Sequence, residues 1–160
     1  MTEKFTYFSP LGPLQIESLD DQILRVLFSD TEVATDGFNP ELKQTVSFQL
    51  DEYFAGLRFS FDLPVYPTGT DFQKRVWKQL CAIPYGNRIT YLELALQLND
   101  RNLIRAVGGA NSKNPVAIIV PCHRVIGTNN KLVGYAGGIW RKKWLLQHEH
   151  TYNPFKTTLL

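Results

Sequence analysis

Residues 90–111 read TYLELALQLNDRNLIRAVGGAN, and this stretch predicts two short helices joined by a tight polar turn. Thr90 and Glu93 are spaced as a capping box, in which the two side chains satisfy backbone amides that the first helix leaves free. The second helix is predicted over Asn102–Asn111. The pattern is typical of a helix-turn-helix, although ordinary helical hairpins share it.

The second helix is rich in small residues. Gly108 and Gly109 each cost a helix up to about 1 kcal/mol relative to alanine, so a compensating contact is expected. A face that contains Ala106, Gly108 and Ala110 would let the backbone approach a flat surface closely. Close packing against another helix explains these residues equally well. The neighbouring Arg105 favours nucleic acid.

Charge is distributed unevenly along the chain. Residues 1–66 contain 4 Lys and Arg against 11 Asp and Glu, a balance of −7. Residues 67–160 contain 13 against 4, a balance of +9, which leaves a net charge of +2. A basic half of this kind indicates a polyanionic partner, most often nucleic acid. Attraction between the two halves is the alternative.

The composition is that of a globular protein. The 160 residues are 44% hydrophobic and 20% charged, which excludes a disordered chain or a coiled coil. No segment approaches the roughly 20 apolar residues of a membrane span, and Met1–Lys4 does not begin a signal peptide, so we expect a cytoplasmic protein without membrane contact. The two cysteines and three histidines lack metal-ligand spacing, so neither a metal nor a disulfide is expected.

The first third of the chain alternates as a small sheet with one helix does. Phe59–Leu63 is predicted to be a further half-buried strand, because apolar and polar residues alternate there. Pro64–Gly69 is the predicted linker, where the charge balance changes sign. The other predicted elements are strands Phe5–Phe8, Leu14–Leu19 and Ile23–Phe28, and a helix that Asn39 caps and Gly56 ends.

Two more helices are predicted after the linker. The first begins at Thr70 or Asp71 and contains Cys81, which is expected to be a buried core thiol. The last runs over Trp140–His148. The glycine-rich loop 134–138 precedes it and is either a receptor for an oxygen or anion or a plain turn.

The second cysteine lies at the end of an apolar run. Val116–Val120 is predicted to be a strand buried on both faces that ends near Cys122. An ordinary thiol is only a few per cent ionised at neutral pH, so a nucleophilic cysteine needs a base or a positive environment. His123 and Arg124 could supply both, but neighbouring side chains of a strand point in opposite directions. Contact therefore needs a bend or a bridging water.

A third group is expected to orient the imidazole of His123, and it should be a carboxylate. The basic half has only four carboxylate side chains, and Glu93 is already used in the predicted capping box. Glu149, at the end of the last predicted helix, is the preferred partner.

Several motifs together resemble one family, the O6-alkylguanine-DNA alkyltransferases, also called methylated-DNA–protein-cysteine methyltransferases. The resemblance covers Phe72 to Glu149 in unbroken order. It rests on Arg105-Ala106-Val107-Gly108, Asn114-Pro115, Pro121-Cys122-His123-Arg124-Val125, Tyr135-Ala136-Gly137-Gly138 and Glu149.

The resemblance implies an α+β fold in two domains. Residues 1–66 would form a small sheet-plus-helix support domain that resembles ribonuclease H. Residues 67–160 would form a mostly helical, winged helix-turn-helix-like domain that binds DNA and carries the alkyltransferase site.

The resemblance also implies DNA repair by direct reversal. Cys122 would take the alkyl group from O6-methylguanine, and from O4-methylthymine, in a single irreversible transfer after base flipping. His123, a water and Glu149 would generate the thiolate, without a cofactor. Tyr91 would protonate the departing guanine and help to rotate its phosphate, and Arg105 would fill the gap in the base stack.

The remaining implied roles concern DNA and the base pocket. The family's recognition helix enters the minor groove. Some members have serine in place of Ala136, so only the backbone amide would remain as a contact here. The DNA-binding set is Arg105, Ala106, Gly108, Ala110, Tyr91 and Arg124, and the pocket set is Asn114, Pro115, Val125, Tyr135 and Ala136.

Two other functions stay open from the residues alone. The chain could be a non-catalytic, lesion-sensing DNA-binding protein in which Cys122 is only a core residue, or a cysteine hydrolase built on Cys122, His123 and Glu149. The expected partner is double-stranded DNA with alkylated bases. We expect a monomer and leave open whether copies cluster on DNA.

Overall fold

The first part of the chain is a three-stranded antiparallel sheet with a helix packed on it. A computed structural model describes residues 2–32 and 37–155. Strands β1 (Glu3–Ser9), β2 (Gly12–Leu19) and β3 (Gln22–Phe28) pair in chain order. Alternate residues of the strands face the helix α1 (Pro40–Phe54) and are buried. These three predicted strands and the predicted helix are therefore confirmed, and each strand is longer than predicted by a residue or more.

The cap of α1 agrees with the sequence. The side chain of Asn39 accepts hydrogen bonds from the amides of Glu41 and Leu42, and Pro40 occupies the first turn, where its missing amide hydrogen costs nothing. The inward face of the helix buries Val46, Leu50 and Tyr53.

The strand predicted over Phe59–Leu63 is not formed. Burial does alternate along the segment, but its backbone is satisfied by a side chain instead of a neighbouring strand. The Gln49 side chain donates to the carbonyl of Asp62 (2.9 Å) and accepts from its amide (2.9 Å). Pairing begins only at Val65, in an isolated parallel bridge to Ile23.

The second part is mostly helical, with α2 (Asp71–Leu80), α3 (Tyr91–Gln97), α4 (Ile104–Ser112) and α5 (Ile139–Tyr152). A short parallel pair joins β4 (Ile89–Thr90) to β5 (Val125–Ile126). The last helix is longer than predicted at both ends, which places Glu149 inside it instead of at its end.

The predicted helix-turn-helix consists of α3 and α4, which pack against each other. A 3-10 turn over Arg101–Leu103 precedes α4. Thr90 caps α3 by accepting from the amide of Glu93, but the Glu93 carboxylate binds the Thr90 hydroxyl, so only half of the predicted capping box is present. A complete box forms instead at Thr70, where α2 begins.

The strand predicted over Val116–Val120 is also not formed, although its burial was predicted correctly. Val116 makes a single parallel bridge to Val26, and the chain then turns through Ile118, whose φ is +71°. A β-branched residue in this region costs of order 1–3 kcal/mol, so surrounding contacts must hold it. The Asn114 side chain supplies some of them, because it binds the carbonyls of Val116 and Val120 and the amide of Val116.

Two further observations complete the fold. Cys81 is exposed at the C-cap of α2, so the prediction of a core thiol is wrong. Within the described residues, no helix combines the length and apolar character that crossing a membrane requires.

Candidate active site

Cys122 lies on a pocket that both parts of the chain build. Cys122, His123 and Arg124 form a 3-10 turn after Pro121, and this turn supplies the bend that the sequence required. The neighbouring cavity has a volume of about 200 Å³. Its lining residues are Leu27, Phe28, Asn111, Ser112, Asn114, Ala117, Cys122, Gly134, Tyr135, Ala136 and Gly137.

Three of the five predicted pocket residues line this cavity, namely Asn114, Tyr135 and Ala136. Two do not. Pro115 uses its carbonyl to accept a hydrogen bond from the amide of Val26 (2.9 Å), and Val125 is fully buried in β5. Both predictions are therefore wrong as to pocket lining, and both residues support the turns on either side of Cys122.

The N-terminal sheet contributes two lining residues that sequence reasoning missed, Leu27 and Phe28. They lie at the end of β3, in the acidic part of the chain, and no local motif marks them. The edge of β3 reaches the site because the Val26 carbonyl also accepts from the amide of Ala117 (2.9 Å).

Glu149 is the centre of a buried hydrogen-bond network and is only 1% exposed. Its Oε2 lies 2.6 Å from Nε2 of His123, as the sequence predicted, and accepts from the Tyr53 hydroxyl at 2.7 Å. Arg124 donates to both oxygens, at 2.7 and 3.1 Å. Burial alone would raise the pKa of Glu149, but its contacts with His123 and Arg124 hold it well below the usual range. The carboxylate is therefore ionised at neutral pH.

The network decides the tautomer of His123. Burial lowers the pKa of His123 despite the opposing effect of Glu149, so the ring is neutral at physiological pH. Because ionised Glu149 can only accept, Nε2 carries the hydrogen and Nδ1 keeps its lone pair. Nδ1 is buried and has no hydrogen-bond partner among residues 2–32 and 37–155. It is thus available to accept a proton.

The Cys122 thiol is 6% exposed. Burial raises its pKa, and Asn114 and Lys142 partly offset this effect. The resting side chain is therefore a thiol, and a nucleophilic role needs a base to remove its proton.

Lys142 is a site residue that the sequence did not single out. It is fully buried, and its Nζ donates to the carbonyl of Val133 (2.8 Å). Burial lowers its pKa to about 8. The Tyr91 hydroxyl donates to the same carbonyl (3.1 Å), so the two side chains together hold the start of the glycine-rich loop. Lys142 lies between Arg141 and Lys143 in a run of three basic residues, so the sequence alone does not distinguish it from its neighbours.

Arg124 is buried and does not lie on the surface where DNA would bind. Besides Glu149, its guanidinium donates to the carbonyl of Ile83 (2.7 Å), and only 7% of the residue is exposed. This burial contradicts the prediction that Arg124 contacts DNA. The reason is electrostatic, because buried Glu149 needs a cation within reach.

The exposed face of α4 contains all but one of the residues of this helix that were predicted to face DNA. Arg105 and Ala106 are exposed, and Gly108 is half-buried near the ring of Tyr91. Ala110 is 3% exposed, and its carbonyl accepts from Nε1 of Trp77 (2.8 Å), which contradicts its predicted place on the DNA-facing surface. Gly109 is exposed in its place, with no atom within 4 Å of an added Cβ.

The described residues contain no group of three His, Cys, Asp or Glu side chains arranged for a metal ion. A cysteine on a pocket, a neutral histidine next to it in the chain, and an adjacent helix with a small and basic outer face define a class. It is the class of proteins with a reactive cysteine beside a helix suited to nucleic acid.

Comparison with known proteins identifies the family within this class. The family model described as "6-O-methylguanine DNA methyltransferase, DNA binding domain" matches residues 71–151, and the one described as "ribonuclease-like domain" of the same methyltransferase matches residues 4–67. The chain belongs to the 6-O-methylguanine DNA methyltransferase family. The resemblance stated from the sequence and the predicted fold class are thereby confirmed.

Individual relatives agree with this assignment. A methylated-DNA–protein-cysteine methyltransferase of Methanosarcina barkeri is 44% identical over 146 residues, which cover 88% of this chain and 92% of the relative. One of Mycobacterium tuberculosis is 45% identical over 159 residues, 96% of each chain. The crystal structure of Mycobacterium tuberculosis OGT in complex with DNA superposes with a TM-score of 0.84 at 42% identity over 93% of each chain. These relatives support direct-reversal DNA repair and do not favour the lesion-sensing alternative.

Replacing the buried carboxylate should unfold the site. We expect Glu149→Gln to lower the free energy of unfolding by about 3–5 kcal/mol, because Arg124 would stay buried without a counter-charge. Asp51→Asn is the matched control, since exposed Asp51 also accepts from a tyrosine hydroxyl (Tyr7, 2.6 Å) and should lose only about 1 kcal/mol. Urea unfolding measures both. Equal losses would contradict a central role for Glu149.

Stability should also fall on acidification. Because the folded-state pKa of His123 lies below 6.5, the unfolded chain binds more protons below pH 6.5 and unfolding becomes easier there. Glu149 has a lowered pKa too, so its stabilisation is present above its ordinary value of 4.5 and is lost as the pH falls through that value and below.

Urea unfolding at about pH 7.5, 6, 4.5 and 3 tests this expectation. The wild-type protein should lose stability at each step, and Glu149→Gln should show a shallower loss below about pH 5 because that titration is gone. A constant free energy of unfolding from pH 7.5 to 4.5 would contradict the neutral state of His123, and equal losses for the wild type and Glu149→Gln below pH 4.5 would contradict the ionised state of Glu149.

Proposed function

We propose that Cys122 is the residue that receives the alkyl group of O6-methylguanine in double-stranded DNA, and of O4-methylthymine as a second substrate. The supporting observation is the juxtaposition at the pocket, where a buried thiol is followed in the chain by a neutral histidine whose Nδ1 is free to accept a proton. Glu149 holds that histidine in the required tautomer.

The proposed transfer is an in-line displacement. Nδ1 of His123 takes the thiol proton through a water molecule, and the thiolate attacks the alkyl carbon. The sulfur–carbon bond forms as the bond from carbon to the guanine oxygen breaks, and the electron pair passes into the base. Tyr91 protonates the departing guanine. Burial raises the pKa of Tyr91, so its hydroxyl is protonated at neutral pH.

The product explains why one molecule acts once. A thioether has no good leaving group, so neither water nor His123 can restore the cysteine. A hydrolase with the same three residues would instead pass through an ester-like intermediate that water cleaves.

DNA is proposed to lie against the outer face of α4. Ala106 and Gly109 leave this surface free of bulky side chains, and Arg105 and Lys113 are exposed cations on it or next to it. Arg105 would enter the base stack in place of the flipped nucleotide. Flipping costs a few kcal/mol and less for a damaged pair, which favours lesions.

The division of the chain is part of the proposal. Residues 1–66 form a support domain that also contributes Leu27 and Phe28 to the pocket, and residues 67–160 carry DNA binding and transfer. We expect the protein to act as a monomer, with copies able to cluster along DNA, and to do so in the cytoplasm.

Cys122→Ser should abolish transfer of a methyl group from methylated DNA while leaving DNA binding intact, because serine is a far weaker nucleophile of similar size. Mass spectrometry after incubation with excess O6-methylguanine duplex should show one added methylene on the wild-type Cys122 peptide and none on the variant. Cys81→Ser is the control and should react as the wild type does, since exposed Cys81 lies outside the pocket.

The opposite outcomes are clear. Methylation on another residue, or repair of more than one lesion per protein molecule, would contradict the proposal. Repeated turnover in particular would favour the hydrolase.

Arg105→Ala should slow repair of duplex DNA by about tenfold or more, because the gap left by the flipped base is no longer filled. Reaction with the free modified base should be unchanged. Arg101→Ala is the matched control, because Arg101 is a second exposed cation near Arg105 and lies in the 3-10 turn before α4. Its removal should weaken binding only through the loss of a charge near the phosphates, which added salt also screens. Equal slowing of duplex and free base by Arg105→Ala would refute the stacking role.

A further inference from the structure

Arg141, in the first turn of α5, connects three segments of the protein. Its guanidinium carbon lies over the ring of Phe28 and over the ring of Trp140, 4.6 Å from each centroid. Its Nε donates to the carbonyl of Leu11 in the β1–β2 turn (2.9 Å), and its Nη1 donates to the carbonyl of Gly137 in the glycine-rich loop (3.0 Å). One side chain thus joins the N-terminal sheet to a wall of the pocket.

The β1–β2 turn, which binds Arg141 through the Leu11 carbonyl, is held by two hydrogen bonds of the Ser9 side chain. Ser9 fixes the β1–β2 turn, because its hydroxyl accepts from the amide of Leu11 (3.0 Å) and donates to the carbonyl of Gly12 (2.7 Å). Gly12 has a φ of +106°, and a Cβ added there would lie 3.2 Å from Nη2 of Arg141. The turn therefore presents the Leu11 carbonyl at a defined position, with little room for any larger residue.

The glycine-rich loop 134–138 also lies close to the N-terminal sheet. A Cβ added at Gly137 would lie 2.7 Å from the ring of Phe28 and 2.9 Å from the ring of Tyr135. Both rings line the cavity next to Cys122. The separation between the loop and the end of β3 is therefore one dimension of the pocket, and Arg141 contacts the segments on both sides of it.

We propose that Arg141 is a positioning residue that determines specificity. It holds the loop 134–138 against the N-terminal sheet and thereby sets the width of the pocket that receives the alkylated base. The inference rests on the proposed function, since it takes the cavity beside Cys122 as the base-binding site. A planar, doubly donating guanidinium suits this task, because it can bind two carbonyls while it lies over two rings.

Arg141 affects the geometry of the pocket and not the ionisation of the Cys122 thiol. Arg141 makes no hydrogen bond to Cys122, His123 or Glu149. Its loss should leave the proton-accepting network intact but let the loop move outward. A wider pocket should align a methyl-bearing base less well and exclude a bulky O6 substituent less strongly.

The test uses the full-length protein with free O6-methylguanine and free O6-benzylguanine, so that phosphate contacts play no part. For Arg141→Ala, the rate constant with the methyl base should fall by about tenfold, and the benzyl-to-methyl ratio of rate constants should rise by a similar factor relative to the wild type. Comparison with the wild type cancels the intrinsic reactivity of the two alkyl groups. Arg141→Lys keeps the charge but not the planar fork, and should shift the ratio in the same direction.

Two controls keep the result interpretable. Lys143→Ala removes an exposed cation from the same helix and should leave both rates unchanged. Iodoacetamide labelling of the Cys122 peptide, followed by mass spectrometry, should be as fast as in the wild type or faster in both Arg141 variants. Slower labelling would mean that Arg141 acts on the thiol itself, and would overturn the proposal.

An unchanged benzyl-to-methyl ratio in a folded Arg141→Lys protein would overturn it as well, even if Arg141→Ala does not fold. Failure of the proposed function gives a different result, since the wild-type protein would then transfer neither alkyl group to Cys122.

Discussion

The ionised carboxylate of Glu149 is the constraint on which the site depends. A buried charge is tolerated only when it is paired and fully hydrogen-bonded, and here α1, the turn after Cys122 and α5 all meet at this one group. The same contacts that satisfy it also fix Arg124 and His123. Protein stability and the chemical state of the imidazole are thus consequences of a single electrostatic requirement.

The N-terminal sheet is more than a support. The resemblance implied only a support role for residues 1–66, whose charge balance is −7. Yet the edge of β3 exchanges hydrogen bonds with the segment before Cys122, and its end lines the pocket. Leu27 and Phe28 contribute shape instead of charge, which explains how an acidic domain can form part of a site for a polyanion.

Features that depend on local sequence patterns and residue chemistry were predicted correctly. Several features that depend on contacts between residues distant in the chain were not. The Asn39 cap, the two helices of 90–111 and the pairing of His123 with Glu149 followed from spacing and residue chemistry. The strands expected at Phe59–Leu63 and Val116–Val120 do not form, because side chains of Gln49 and Asn114 satisfy backbone groups there. Such contacts join residues through the fold and leave no periodic pattern in the sequence. The same holds for Trp77 and Ala110, 33 positions apart.

Burial of Cys122 works against its reactivity, because it raises the pKa of the thiol. For the single transfer proposed for Cys122, this effect is an advantage. A protonated thiol inside a narrow pocket reacts slowly with stray electrophiles, whereas in the proposed transfer Nδ1 of His123 removes the proton when a base fills the cavity and excludes solvent. Rate then depends on alignment within the pocket more than on the resting fraction of thiolate. In the proposed mechanism, selectivity for the lesion and protection of the cysteine therefore arise from the same enclosure, whose walls come from both halves of the chain.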